Sequence, residues 1–198
     1  MLRAFMRVLA LGLLLLLWAG LLVPGLPANA AETIDETIDE TAIETRIKAA
    51  FIRHFCTYIN WPDSAFEKAD SPIVLGVMGS GAMAEALRAV VGNRTAHNRP
   101  MVVREIDPGD ALGELHVLFI ANSMRTRIPT LAAAAIEQSV LPISESPRGL
   151  EAGSAINFTV EDDKVKFDIA PAVVRNAGLD VSAQLLTVAR VIRQESSR

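Results

Sequence analysis

The sequence predicts an α/β fold: a three-layer sandwich with a mostly parallel central sheet, helices on both faces and an antiparallel hairpin at one edge. Three observations predict it. Short apolar runs rich in β-branched residues alternate with segments of helical spacing, as in parallel sheets buried on both faces. Towards the carboxyl terminus polar and apolar residues alternate strictly, which favours a hairpin with one wetter face. The length of 198 residues suits one compact domain.

Residues 1–30 are predicted to be a secretory signal peptide. Arg3 and Arg7 precede an uncharged apolar run, and the small residues at 28–30 form a cleavage site. The run is slightly short for a membrane span, so a retained N-terminal anchor is the alternative to cleavage. In either case the rest of the chain is expected outside the cytoplasm.

Residues 31–40 are predicted to be a flexible, acidic N-terminal extension, and residues 41–195 a single α/β domain. The extension repeats Glu-Thr-Ile-Asp, and the alternative is that this period of four lengthens the helix that follows. Residues 41–60 have apolar positions at spacings of three and four, which predicts a helix. Trp61-Pro62 ends it, because the residue before a proline is pushed out of the helical region.

The remaining elements follow from apolar runs and the turn residues between them. Continuous apolar runs predict strands, and apolar positions at helical spacing predict helices. The alternating segments 155–160 and 164–169 predict the hairpin. The other predicted strands are 73–78, 101–106, 115–120 and 139–143, and the predicted helices are 82–91, 123–138, 171–177 and 181–193.

Charge and cysteine content exclude several classes of protein. The formal net charge is −4 for the whole chain, which argues against a nucleic-acid binder and against docking on anionic lipid. Cys56 is the only cysteine, so the chain has no internal disulfide and no zinc site built from cysteines. Its side chain is either a small buried hydrophobe, a group for an intermolecular disulfide or a reactive thiol. The three histidines show no metal-binding spacing, so no metal or cofactor is expected.

A glycine-rich turn is the candidate small-ligand site. Gly79, Ser80 and Gly81 lie between a predicted strand and a predicted helix, where the N–H groups of a helix N-terminus bind anions. The spacing matches no dinucleotide-binding motif, P-loop or nucleophile elbow, and glycines that serve only a tight turn are the alternative. The other candidate ligand-binding residues are Arg99, Asn122 and Arg125.

The arginines near the predicted sheet have two interpretations. Arg94, Arg99, Arg125 and Arg127 either cluster on the loops that follow the strands and contact an anion or an acidic partner, or they are solvated loop charges. Ser80 has no histidine at a spacing typical of a serine hydrolase. No catalytic residue is therefore predicted.

Two surfaces are predicted to contact a partner. Trp61 stands at a predicted helix end, where its ring either caps the core or forms a contact surface. Tyr58 and Pro62 flank it. The second surface is the loop 144–153, rich in glycine and proline, whose candidates are Pro147, Arg148 and Leu150.

Several segments together resemble the YfiR family of periplasmic proteins. The stretch 47–62 is similar to the opening signature of that family, Lys-Ala-Ala-Phe-Ile followed by Tyr-x-x-Trp-Pro. The segments 153–158 and 165–169 and the Ala-Gly-Leu at 177–179 are similar to its closing block. The resemblance covers nearly all of the chain that follows the predicted signal.

The resemblance implies a non-enzymatic regulator in the periplasm. It implies a homodimer, and a partner supplied in trans: an inner-membrane diguanylate cyclase or a sensor kinase. Repression of such a cyclase lowers cyclic-di-GMP and biofilm formation. A periplasmic small-ligand receptor that uses the turn Gly79-Ser80-Gly81 is the alternative function.

Two departures from the family pattern limit which of the family's properties are expected of this chain. Leu115 stands where a cysteine often precedes the strand, and the lone Cys56 cannot replace a pair, which puts redox control by an internal disulfide in doubt. The closing hairpin ends in Ala170 where the family pattern has asparagine. Any role of that asparagine is lost here.

Overall fold

The computed structural model describes residues 29–192, and the side chains within it from Glu40 to Arg190. Residues 1–28 of the predicted signal and residues 193–198 lie outside the described residues. Contacts group the chain from Glu40 onward into one compact unit. Within the described range no helix is both long enough and apolar enough to cross a membrane.

The first helix is longer than the sequence predicts. Helix α1 spans Asn29–Tyr58, so the backbone of residues 31–40 is helical, as the alternative prediction had it, and the flexibility of this extension stays a prediction. The helix ends at Tyr58, ahead of the predicted end, because Ile59–Asn60 form a short strand, β1.

The other elements follow in chain order, with short 3₁₀ turns at Asp63–Ala65 and Asn122–Arg127. The helices are α2 (Gly81–Val91), α3 (Ile128–Glu137), α4 (Pro171–Asn176) and α5 (Ala183–Val188). The strands are β2 (Ile73–Met78), β3 (Thr95–Ala96), β4 (Arg99–Glu105), β5 (Val117–Ile120), β6 (Leu141–Ser144), β7 (Ile156–Glu161), β8 (Lys164–Ile169), β9 (Asp180–Val181) and β10 (Val191–Ile192).

The main sheet confirms the predicted α/β class. Its strand order is β10-β8-β7-β6-β5-β2-β4-β3. Strands β4, β2, β5, β6 and β7 run parallel, and β8 is antiparallel to β7, as the predicted hairpin requires. Strand β10 adds to the outer side of β8 in parallel, so the hairpin lies one strand in from the edge.

Helices cover both faces of the sheet. Alternate residues of β2 enter two separate hydrophobic clusters, with Leu75 in one and Val74 in the other. The larger cluster contains Phe55 of α1 and Leu87 of α2, and the smaller contains Ala132 of α3. Burial on both faces explains why the parallel strands read as continuous apolar runs.

Two helix predictions near the carboxyl-terminal half are wrong in extent. The predicted helix 181–193 is only Ala183–Val188, because Val181 pairs with Ile59 of β1 and Val191 pairs with Asp168 of β8. The predicted helix 123–138 begins as a 3₁₀ turn and becomes α-helical only at Ile128. Pairing with distant strands overrides the local helical spacing in the first case.

Candidate functional site

The carboxyl ends of the parallel strands lie along one side of the sheet, called here the carboxyl edge. Gly79 follows β2, Asn122 follows β5 and Glu145 follows β6. The register pairs Met78 with Ile120, and Ile120 with Ser144, so these strand ends are neighbours. Open α/β sheets place their binding crevices at this edge.

A buried lysine links α1 to the carboxyl edge. The Nζ atom of Lys48 lies 2.7 Å from Oε2 of Glu145 and 2.5 Å from Oε1 of Glu44. The other oxygen of Glu145 accepts the N–H of Asn122 at 3.2 Å. Burial is the largest single cause acting on the pKa of Lys48, and it lowers that pKa. Hydrogen bonds and charge interactions with the carboxylates of Glu145 and Glu44 together raise the pKa by more, so the net shift is upward. The ammonium is therefore charged and held in place.

The glycine-rich turn is occupied by the chain itself. The hydroxyl of Ser80 caps α2 by accepting the N–H of Met83 at 3.2 Å. Gly79 has a φ of +84°, and a Cβ there would lie 2.5 Å from Oγ of Ser123, which donates to the carbonyl of Gly79 at 2.8 Å. The tight turn accounts for these residues without a ligand. Binding of a small ligand at Gly79, Ser80 and Gly81 stays a prediction.

Arg99 lies away from the other candidate ligand-binding residues. It begins β4, at the opposite side of the sheet, called here the amino edge. Its guanidinium stacks on Phe66, 3.6 Å from the ring centroid, and donates to the carbonyls of Lys68 and Ser71 at 3.1 and 2.9 Å. The prediction that Arg99 joins a cluster on the loops after the strands is wrong, because its charge fixes the loop before β2.

The remaining arginines divide between the two edges. Arg94 follows α2 and donates to the carbonyl of Val90 at 2.7 Å. Arg125 and Arg127 are exposed in the 3₁₀ turn that follows β5, beside Asn122 at the carboxyl edge. The carboxyl edge thus keeps two exposed cations from the predicted set.

Trp61 caps the core at the amino edge. Only 9% of the residue is exposed, and its Nε1 donates to the carbonyl of His116 at 3.1 Å. The core-capping alternative therefore describes its place in the fold. Tyr58 and Pro62 are half-buried beside it. A contact between these residues and a partner stays a prediction.

His116 is buried beneath this cap. Its Nδ1 accepts the N–H of Val74 at 3.1 Å, and its ring stacks on Phe66 with the centroids 4.5 Å apart. Burial is the main cause that lowers the pKa of His116 to about 4, and the nearby charge of Arg99 lowers it as well. The ring is neutral at neutral pH.

The loop after β6 presents the second predicted surface. Its Pro147 and Arg148 are exposed, and Leu150 is half-buried. The side-chain oxygen of Asn157 holds the loop by accepting the hydroxyl of Ser144 at 2.8 Å and the N–H of Ser146 at 3.1 Å. Pro147 and Arg148 therefore project from an ordered turn.

The two predicted contact surfaces lie at opposite edges of the sheet. Helix α1 crosses between them, with Lys48 at Glu145 of the carboxyl edge and Trp61 at His116 of the amino edge. The helical stretch from Lys48 to Tyr58, at a rise of 1.5 Å per residue, separates the two edges by about 15 Å. They are two distinct surfaces.

An apolar groove that sequence reasoning missed lies between α1 and the hairpin, and we call it the hairpin groove. Its floor is formed by Ile43 and Ile47 of α1 with Val160 and Val165 of the hairpin. Exposed fractions are 48% for Ile43, 40% for Ile47 and 48% for Val160. The helical spacing predicts a helix here, but it could not show that the hairpin extends past β6 and leaves the isoleucines exposed. The rim is acidic and is formed by Glu40, Glu44 and Asp163.

The chain matches a known protein family. The family model described as YfiR/HmsC-like matches residues 45–190, most of the chain. The chain belongs to the YfiR/HmsC-like family. Proteins of this family are periplasmic regulators of diguanylate cyclase signalling rather than enzymes. None of the curated proteins compared with the chain matches it.

Cys56 is the single cysteine of this YfiR/HmsC-like chain, and its thiol is free. Cys56 is fully buried in the core, and its Sγ donates to the carbonyl of Ile52 at 3.4 Å. Burial raises the pKa of the thiol to about 12. The thiolate, which is the reactive form, is suppressed at neutral pH. The buried-hydrophobe alternative describes this residue.

The closing hairpin of the YfiR/HmsC-like match ends in an ion-pair network. The guanidinium of Arg190 forms a bidentate pair with Asp168, at 2.8 Å to Oδ1 and 2.5 Å to Oδ2, and also pairs with Glu161. Lys166 adds a bond of 3.0 Å to Glu161. The charged face of the hairpin is thus tied to the segment that leads into β10.

Proposed function

We propose that this protein binds an inner-membrane diguanylate cyclase from the periplasm and represses it, which lowers cyclic-di-GMP. The YfiR/HmsC-like match over residues 45–190 carries the proposal, because it spans the sheet, both edges and most of the hairpin groove. The predicted signal peptide would deliver the chain to the compartment that such a cyclase faces. The partner acts in trans.

The geometry of the carboxyl edge supports a binding role. Lys48, Ser80 and Asn157 each hold a structural segment in place through the contacts described above. These groups order a surface, and its exposed cations include Arg125, Arg127 and Arg148. An ordered surface with exposed cations and an adjacent apolar groove suits contact with another protein.

Repression would follow from differential affinity. If the protein binds the inactive state of the cyclase more tightly than the active state, it shifts the population towards the inactive state. The size of the shift is limited by the ratio of the two affinities. A signal that relieves repression would act by lowering that ratio.

The test uses membranes that contain the cyclase of the source organism and lack this protein. Addition of the purified protein should reduce the conversion of GTP to cyclic-di-GMP in a saturable manner, and deletion of its gene should raise cyclic-di-GMP in cells. Capture of a sensor kinase without any cyclase would contradict the proposed partner. Unchanged cyclic-di-GMP in both experiments would overturn the proposal.

The same assay separates the two predicted contact surfaces. Arg148→Ala alters the carboxyl edge, and Tyr58→Ala alters the opposite, amino edge. If the carboxyl edge contacts the cyclase, only Arg148→Ala weakens repression. The reverse result would assign the contact to the Tyr58, Trp61 and Pro62 end of α1.

A further inference from the structure

We propose that the hairpin groove binds a basic amphipathic helix of about two turns, presented by the regulated membrane protein. The identity of that membrane protein rests on the proposed function, whereas the chemistry of the bound segment follows from the groove. Its apolar residues would contact the floor, and its lysines or arginines would pair with the acidic rim. Helix-in-groove binding is a recurrent mode of recognition.

The floor of the groove continues the hydrophobic core beyond the sheet. Val160 and Val165 are directly paired across the hairpin, and they share its face with the pair Phe158 and Phe167. The two phenylalanines are covered by Phe55 of α1, with centroids 5.9 and 4.8 Å away. The valines one step further along are not covered to the same degree, since Val160 is 48% exposed. The core therefore ends in an open apolar surface.

The shape of this surface favours a rigid, preformed site. Ile43 and Ile47 are one helical turn apart on α1 and face the paired valines of the hairpin. All four side chains are β-branched, so they lose little rotamer freedom when a partner covers them. The hairpin is held on its other face by the Arg190 pair with Asp168. Binding would require little rearrangement.

The rim selects the charge of the bound segment. Three carboxylates, those of Glu40, Glu44 and Asp163, line the groove; Glu44 already pairs with Lys48 at 2.5 Å, so the charges that would meet a bound segment are those of Glu40 and Asp163. Two exposed cations stand next to lining residues in the sequence, Arg46 beside Ile47 and Lys164 beside Asp163, but neither of them lines the groove. Rim charges of one sign steer a partner of the opposite sign and set its orientation.

The same charges disfavour two other occupants. A second copy of this chain docked about a two-fold axis would bring one acidic rim against an identical one. An anionic membrane surface would be repelled by Glu40 and Asp163. A basic segment is the occupant that both the apolar floor and the rim favour.

The length of the groove fixes the length of the segment. Glu40 to Ile47 of α1 line one wall, and at 1.5 Å per residue this wall is about 12 Å long. A helix of about two turns covers it. Apolar residues at i, i+3 or i+4, and i+7 would lie on one face of that helix.

A peptide probe tests the chemistry of the groove independently of the partner. The probe is a fluorescein-labelled helical peptide with leucines at i, i+4 and i+7 and flanking lysines, and its control carries glutamates in place of the lysines. Polarisation should show saturable binding of the lysine peptide, weakened several-fold between low and high salt, and little binding of the glutamate peptide. Equal binding of both peptides, or of neither, would overturn the proposal.

Matched variants locate the binding. Val160→Asn should weaken binding of the lysine peptide about tenfold, whereas Val102→Asn, on a valine of β4 that is 40% exposed against 48% for Val160, should not. The double change Glu40→Gln with Asp163→Asn should remove the preference for lysine over glutamate, and Glu85→Gln on α2 should retain it. A dimer that Val160→Asn dissociates and Val102→Asn does not would assign the groove to a second copy and overturn the proposal.

The membrane assay separates this inference from the proposed function. If wild type and Val102→Asn repress the cyclase and Val160→Asn does not, the result supports both the proposed function and this inference. If all three proteins repress equally, the groove is not the contact and only this inference fails. If wild type itself has no effect on the cyclase, the proposed function fails, and the peptide result still decides whether the groove binds basic helices.

Discussion

Lys48 on α1 and Glu145 at the end of β6 form an ion pair of 2.7 Å that fixes the helix to the carboxyl edge of the sheet. The pair lies between the hairpin groove and the loop that carries Pro147 and Arg148. Because Glu145 also accepts the N–H of Asn122, the same carboxylate orders the turn after β5. One interaction therefore determines the relative placement of three parts of the candidate surface.

Replacement of Lys48 by methionine should destabilise the protein by about 2 kcal/mol, because the partly buried carboxylates of Glu145 and Glu44 lose their shared cation. Urea unfolding followed by circular dichroism measures the loss. Lys68→Met is the matched control, since its pair with Glu67 at 3.9 Å is exposed on both sides and should contribute nothing measurable. A Lys48→Met protein as stable as Lys68→Met would contradict a structural role for the pair.

Acid should weaken the fold through His116. Its pKa is about 4 in the folded state and about 6.5 in the unfolded chain, so the unfolded state binds more protons between these values. The free energy of unfolding should therefore fall as the pH drops from 6.5 to 4, by about 2 kcal/mol for this group. Urea unfolding at pH 7 and at pH 4.5 measures the difference.

Two substitutions separate the contribution of His116 to this acid sensitivity from that of other titrating groups. His116→Asn keeps an acceptor for the N–H of Val74 and removes the titration, so the variant should be less stable at pH 7 but lose less on acidification. His54→Asn alters an exposed ring and should keep most of the wild-type loss. If both variants lose the same free energy as wild type, His116 does not cause the acid sensitivity.

Gly149 should tolerate no side chain. A Cβ there would clash with Oδ1 of Asn157 and Oγ of Ser144, the two atoms that hold the loop after β6. Gly149→Ala should lower the free energy of unfolding by about 2 kcal/mol or more, seen as a lower midpoint of thermal unfolding. Gly81→Ala is the control, since its Cβ would meet nothing closer than 3.8 Å and alanine favours a helix. Equal midpoints for the two variants would contradict this packing.

The sequence predicts the fold best where local signals are strong. Strand β2 has the predicted bounds because its six buried residues stand between Pro72 and Gly79. Helix α5 is shorter than predicted because the residues on either side of it pair with β1 and β8, which lie far away in the chain. A local pattern contains no information about such pairing.

The candidate site is predictable only in part, for the same reason. The turn at Gly79 follows from local glycine spacing, but the edge on which Arg99 lies depends on the register of β4 against β2. Lys48 and Glu145 are 97 residues apart, so their pairing is invisible until the sheet is assembled. The hairpin groove exists because β7 and β8 extend beyond β6, a difference in strand length that no single segment reveals.

Cys56 should be chemically silent in the folded protein, because the thiol is fully buried and its pKa is raised to about 12. Native protein should react with Ellman's reagent far more slowly than a free thiol, and one thiol should react at once in guanidinium chloride. Cys56→Ala should create a small cavity yet leave the proposed repression of a cyclase the same under oxidising and reducing conditions. A disulfide-linked dimer of wild type on oxidation, with a change in the proposed repression, would show that the thiol is accessible and would contradict this prediction.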